Sequence, residues 1–214
     1  MNNSVVLLTG FEPFGGETTN PSWDAVRALA DRDDGLRAVL LPCEFGSSLE
    51  VLRAAVAEHR PALVVATGLA GGRAGVTPER VAVNLDDARI PDNAGAQPID
   101  VPVVPDGPAA YFTGLPVKAC VAAVAAAGIP TSVSYTAGTF VCNHVFYGLM
   151  HLLATEHPGV RGGFVHVPYA PEQVADRPDV PSLPLATTVD ALEIIVRTSL
   201  ATTADLPITA GHLH

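Results

Sequence analysis

Charge is scarce in this chain, and positive charge scarcest. Only 16% of the 214 residues are charged, with 12 Lys and Arg against 22 Asp and Glu, for a formal net charge of −10. The basic residues are scattered, so no surface for a phosphate backbone is expected and nucleic-acid binding is set aside. The acidic balance speaks mainly to solubility. Cysteine is scarce as well. Cys43, Cys120 and Cys142 are widely spaced and form no CxxC pair, which argues against a disulfide framework and for the reduced thiols of a cytoplasmic protein. No apolar run approaches the roughly 18 residues of a membrane span, since the Ala-rich stretch around Cys120 is broken by Gly128 and Pro130. The start "MNNSVVLLTGFEPFGG" has no basic segment and an apolar run of strand length only, so no signal peptide is expected. There is no G-x-S-x-G elbow, Walker A sequence or HExxH pair, and "GLAGGRAG" does not fit G-x-G-x-x-G.

What the chain does have is a hydrophobic content of 48%, enough for one substantial core. Apolar runs of strand type alternate with helical patterns. "SVVLLTG", "LRAVLLP", "ALVVATG", "TSVSYTAG" and "GGFVHVP" predict strands, and "RVAVNLDDARIPDNAG" a half-exposed strand or hairpin arm. "NPSWDAVRALAD" predicts a helix opened by Asn20, Pro21 and Ser22, and "SSLEVLRAAVAEHR" one capped by Ser47 or Ser48. Further helices are predicted at "PVKACVAAVAAAG", "CNHVFYGLMHLLATEH" and "LATTVDALEIIVRTSLATTA". Residues 91–113 and the Pro-rich stretch 168–184 read as irregular. Strands apolar on both faces, alternating with helices, indicate one α/β domain over residues 1–214: a three-layer α/β/α sandwich with a mostly parallel central sheet.

In such sheets ligands gather where strands end and helices begin. "GFEPFGG", "GLAGGRAGVTPER", "AGTFVCNH" and "HVPYAPEQ" all fall there. Cys142 opens a helix just after a turn. First-turn N–H groups and the helix dipole favour a thiolate and lower a thiol pKa, and the same N–H groups suit an oxyanion. The competing reading is a core cysteine between Val141 and Phe146, since free cysteine is among the most buried residue types. His144 is a poor partner, because two residues along a helix turn a side chain by about 200°. His151, seven residues beyond it, gives no metal signal on its own. His166, near the end of an apolar strand, is better placed, and a histidine there needs a hydrogen-bond partner. A general base also needs an orienting carboxylate. Glu79, Asp86, Asp87 and Asp92 all qualify, and spacing does not choose among them. Gly71–Arg73 offer a place for an anion. A phosphate-dependent transferase built on "GLAGGRAG" and a catalytically silent binding protein are the competing functions.

"LLTGFEPFGGETTNPSW", "GGRAGVTPERVAVNLDDARIPDN", "SYTAGTFVCNHVFYGLMH" and "GGFVHVPYAPEQ" resemble the pyroglutamyl peptidase I family of cysteine peptidases, in the family's order, from about residue 4 to residue 173. The resemblance implies an α/β/α fold, removal of N-terminal 5-oxoproline from peptides, no metal or organic cofactor, and a homotetramer. It implies a triad of Glu79, Cys142 and His166. It also implies an apolar slot for the lactam walled by Phe11 and Phe14, with Asn20, Leu69, Ile90, Phe140 and Val141 around it and Arg89 assisting electrostatically. The family often has Gln where this chain has Leu69.

Overall fold

Six consecutive buried residues, Val6–Phe11, form the first strand, as a run without polar alternation must when both of its faces are covered. In chain order the elements are β1 (Val6–Phe11), α1 (Pro21–Ala30), β2 (Leu36–Leu41), α2 (Ser47–His59), β3 (Leu63–Leu69), β4 (Thr77–Pro78), β5 (Val81–Val83), β6 (Ala110–Phe112), α3 (Val117–Ala126), α4 (Val141–Glu156), β7 (Arg161–Val167) and α5 (Leu185–Ala201), with a short 3₁₀ turn at Pro171–Val174. The structure is a computed structural model and describes residues 5–211. Ser4, where the first strand was expected to begin, and most of the C-terminal "GHLH" lie outside the described residues.

The main sheet runs β2-β1-β3-β7-β4, parallel except for β4. Alternate side chains feed two cores. Val6, Leu8, Leu63, Val65, Val165 and Val167 meet α1, α3 and α5 on one face. Leu7, Val64, Ala66 and Phe164 meet α2 and α4 on the other. The three-layer sandwich is therefore present. β5 and β6 pair separately as an antiparallel ribbon, so the excursion at 91–113 ends in a short strand rather than staying irregular.

Two local expectations are corrected. "TSVSYTAG" is not a strand. It makes only isolated bridges, Thr131 with Val76 and Ser134 with Glu79. Its neighbour β4 is two residues long and ends in Pro78, which has no N–H to donate, so no continuous ladder can form. Helix α2 is capped by neither serine: its N-cap is Gly46, at φ 80°, with no side-chain cap bond. Only a glycine enters that left-handed conformation without strain. Helix α1 does start as expected. Asn20 Oδ1 accepts from the Ser22 N–H, and Pro21 fills the first turn.

Candidate active site

Three strand ends and one helix start build the site. β3 and β7 are paired so that Gly68 lies beside His166. Cys142, second residue of α4, points its thiol at Gly68. A Cβ placed on that glycine would come within 2.8 Å of Cys142 Sγ and 2.9 Å of the Phe164 ring. The Phe164 ring also packs edge-on against His166, with centroids 4.9 Å apart. A glycine is thus what lets the thiol sit down against the sheet next to the imidazole.

On the other side of His166 lies β4, whose Thr77 pairs with it across the sheet edge. The next residues turn Glu79 inward, and its backbone N–H is held by the Phe164 carbonyl. Glu79 is fully buried, and its Oε1 lies 2.7 Å from His166 Nδ1. A carboxylate only accepts, so Nδ1 carries the proton and Nε2 keeps a free lone pair. Glu79 Oε1 also accepts from Arg73 Nη1 at 2.7 Å. Arg73 further donates to Thr77 Oγ1 and, at 3.1 Å, to the Thr136 carbonyl. Arg80, next to Glu79 in sequence, instead pairs with Asp205 and lies over the Phe112 ring. The sequence pointed to Gly71–Arg73 as a place for an anion, and the group Arg73 holds is Glu79 of the same chain.

The other carboxylates have other partners. Asp86 Oδ2 lies 2.7 Å from His144 Nδ1, and His144 Nε2 accepts from the Gly46 N–H. Asp92 accepts from the backbone of Phe45, Ala94 and Ala96. Asp87 is exposed. His151 Nδ1 is bonded to the Tyr111 hydroxyl. Among the described residues no cluster of three or more His, Cys, Asp or Glu is arranged to hold a metal ion.

Burial pushes the Cys142 thiol up to about 12, aided by the nearby Glu79 charge and opposed by Arg73. The helix start led to the expectation of a lowered thiol pKa, and burial and Glu79 act in the opposite direction. Burial also lowers His166 below its ordinary 6.5, with Glu79 opposing and Arg73 adding to the shift. Both shifts favour the neutral thiol and the neutral imidazole. Among the described residues no side chain caps the start of α4, so its first-turn N–H groups are open to a ligand.

Above the thiol is a cavity of about 110 Å³ lined by Phe11, Phe14, Thr19, Asn20, Cys43, Leu69, Phe140 and Cys142. Phe14 and Phe140 pack with centroids 5.2 Å apart. Asn20 spends its amide on the Glu12 carbonyl and on Ser22, so its work is to fix the loop. Cys43 lines this cavity too, and no motif in the sequence marks it. Three expected residues are not brought in. Val141 is wholly buried in the core below α4. Arg89 and Ile90 are exposed and line a separate, neighbouring cavity that shares Phe140. The Ala88 backbone is held by Pro98 and Gln97, which carries the two residues after it along the outside.

The comparisons with known proteins give the family. The family described as pyroglutamyl peptidase matches residues 4–202. The chain belongs to the pyroglutamyl peptidase family. The pyrrolidone-carboxylate peptidase of Streptomyces coelicolor is 59% identical to it over 98% of this chain and 99% of its own. The crystal structure of pyroglutamyl peptidase I from Bacillus amyloliquefaciens superposes with a TM-score of 0.92 at 50% identity, over 96% of this chain and 99% of that one. The pyrrolidone carboxyl peptidase of Thermococcus litoralis gives 0.91 at 37% identity, over 96% and 99%. The fold is thus shared with these two solved structures at 50% and at 37% identity.

Proposed function

We infer that the chain is a cysteine-type exopeptidase that removes N-terminal pyroglutamyl residues from peptides, with Cys142 as nucleophile, His166 as base and Glu79 as its orienter. The observation that carries this reading is the Glu79–His166 pair, bonded at 2.7 Å in the sheet beside the glycine that seats the Cys142 thiol. The small, largely apolar cavity over that thiol supports the substrate class. Pyroglutamate is a flat, neutral lactam without a free amine, and it suits aromatic walls better than an acidic grip for an ammonium.

The reaction follows from the two neutral groups. As substrate seats, His166 Nε2 takes the thiol proton and Sγ attacks the carbonyl carbon that links pyroglutamate to the next residue. First-turn N–H groups of α4 hold the oxyanion. The His166 imidazolium, steadied by Glu79, gives its proton to the leaving amine as the C–N bond breaks, leaving a thioester on Cys142. Water, deprotonated by the same imidazole, then releases pyroglutamate and restores the thiol.

The setting is read as cytoplasmic, in keeping with free thiols at Cys43, Cys120 and Cys142. Among the described residues no helix is long and apolar enough to cross a membrane. The assembly is read as a homotetramer, for which the exposed Ile99 (70%) and Phe112 (71%) offer apolar surface.

The experiment is hydrolysis of a chromogenic pyroglutamyl amide beside the matching prolyl amide, with wild type and Cys142→Ser. Turnover of the pyroglutamyl substrate alone, lost in the variant, is expected. Activity that survives in Cys142→Ser removes Cys142 from its role, and equal turnover of the prolyl amide removes the lactam pocket from its role.

A further inference from the structure

Arg73 stands on a loop after β3 and does not line the cavity over the thiol. Its guanidinium nevertheless makes three hydrogen bonds, to Glu79 Oε1, Thr77 Oγ1 and the Thr136 carbonyl. Two of these tie it to structure. The third puts it on the same carboxylate oxygen that receives His166 Nδ1–H. The other oxygen, Glu79 Oε2, is buried with no hydrogen-bond partner among the described residues. Glu79 thus depends on Arg73 and His166 for its only charged or polar side-chain partners among the described residues, and a buried carboxylate held from one oxygen needs both.

We propose that Arg73 is a positioning residue of the reaction: by binding the Glu79 oxygen that His166 also uses, it locks the carboxylate in place and takes up part of its charge, so that His166 is oriented without being captured as an imidazolium. The proposal deepens the peptidase reading and rests on it for its kinetic arm. The physical need is a balance. Glu79 alone beside His166 favours the protonated ring, which cannot take a proton from the thiol. A fully neutralised Glu79 would give no support to the imidazolium formed during attack. Arg73 divides the carboxylate between the two. The charged groups acting on His166 are Glu79 beyond β4 and Arg73 from the β3 loop; the Cys142 thiol of α4 lies over Gly68, the β3 partner of His166, and the Phe164 ring packs edge-on against the imidazole. With burial, Arg73 is what works against protonation of His166, and Glu79 is what works for it.

Two variants test this, Arg73→Gln and Arg73→Lys, each checked for a wild-type melting transition. In Arg73→Gln the kcat for the pyroglutamyl amide is expected to fall at least about tenfold at pH 7, with KM within about threefold. The acid limb of the kcat/KM profile is expected to rise by about one pH unit, the scale of a nearby charge. Arg73→Lys restores the charge and is expected to return the limb to within about 0.3 unit of wild type, with partial recovery of kcat. A purely structural role lowers activity without moving the limb, and that result overturns the proposal. A second readout needs no turnover. In Cys142→Ser protein, the His166 ring proton is followed by NMR against pH with Arg73 and with Arg73→Gln. An upward shift of the midpoint supports the proposal, and an unmoved or lowered midpoint overturns it. If wild type fails to cleave the pyroglutamyl amide, the peptidase reading falls, and the NMR midpoint still decides the coupling of Arg73, Glu79 and His166.

Discussion

The chain buries two histidine–carboxylate pairs of the same length, and single atoms separate their roles. His144–Asp86 and His166–Glu79 each span 2.7 Å through Nδ1. His144 has its Nε2 occupied by the Gly46 N–H, so no lone pair remains to accept a proton. Among the described residues His166 is bonded through Nδ1 alone, which leaves Nε2 to accept a proton. His166→Ala is therefore expected to lower kcat/KM by about 10²–10⁴-fold, the range of a lost general base. His144→Ala instead strips partners from the buried Asp86 and Gly46 N–H, at a cost of about 1–3 kcal/mol read as a lowered melting temperature, with acyl transfer on Cys142 retained. If the two variants exchange these phenotypes, the assignment of the base is wrong. The pH profile follows from the same residues. His166 must be neutral to act, and its folded value lies below 6.5, so the rate falls only as pH drops through that lower value. The thiol, at about 12, stays protonated at neutral pH, so no gain is expected between pH 7 and its ordinary 9. A kcat/KM that climbs across that interval would show that preformed thiolate is the attacking species.

At the scale of elements, the register of β3 on β7 does most of the work. It sets Gly68 beside His166, and the start of α4 then lowers Cys142 into the space that a side chain would fill. Gly68→Ala is expected to displace the thiol or the Phe164 ring. The expected cost is about 1–3 kcal/mol of stability, as for other overpacked sites, together with a loss of kcat that exceeds any change in KM. Wild-type kcat in a well-folded Gly68→Ala protein would mean that the thiol has room the packing denies it. The strands and helices of this core could be read from the sequence because each is a run of apolar residues with one period. The edge could not. "TSVSYTAG" has strand composition, yet its partner is a two-residue strand ending in proline, a fact of pairing rather than of propensity. The start of α2 was misread for a similar reason: serines were expected to cap it, and the chain uses the positive φ of Gly46.

Over the whole molecule, the sheet edge and four loops meet where the parallel strands end. Residues 11–20, 69–73, 136–142 and 166–173 are brought together there, and Gln173 ties the last of these to Thr19 and Glu17 in the first. That convergence was legible, since the loops follow strands in an α/β order. The choice of Glu79 over Asp86 was not legible from spacing, because both precede helix α4 by a similar distance in sequence and only the strand pairing says which histidine each one meets. Arg73 was missed because its partner lies across a turn, and Cys43 because a lone buried cysteine resembles core. Cys43 lines the same cavity as Cys142, which makes the identity of the reacting thiol the central point of the account. The direct measurement is labelling with a pyroglutamyl chloromethyl ketone, in which Sγ displaces chloride, followed by peptide mapping by mass spectrometry. One adduct on the peptide containing Cys142, absent with the prolyl analogue, is the predicted result. An adduct confined to Cys43, or none on a protein that still turns over the pyroglutamyl amide, would contradict the account.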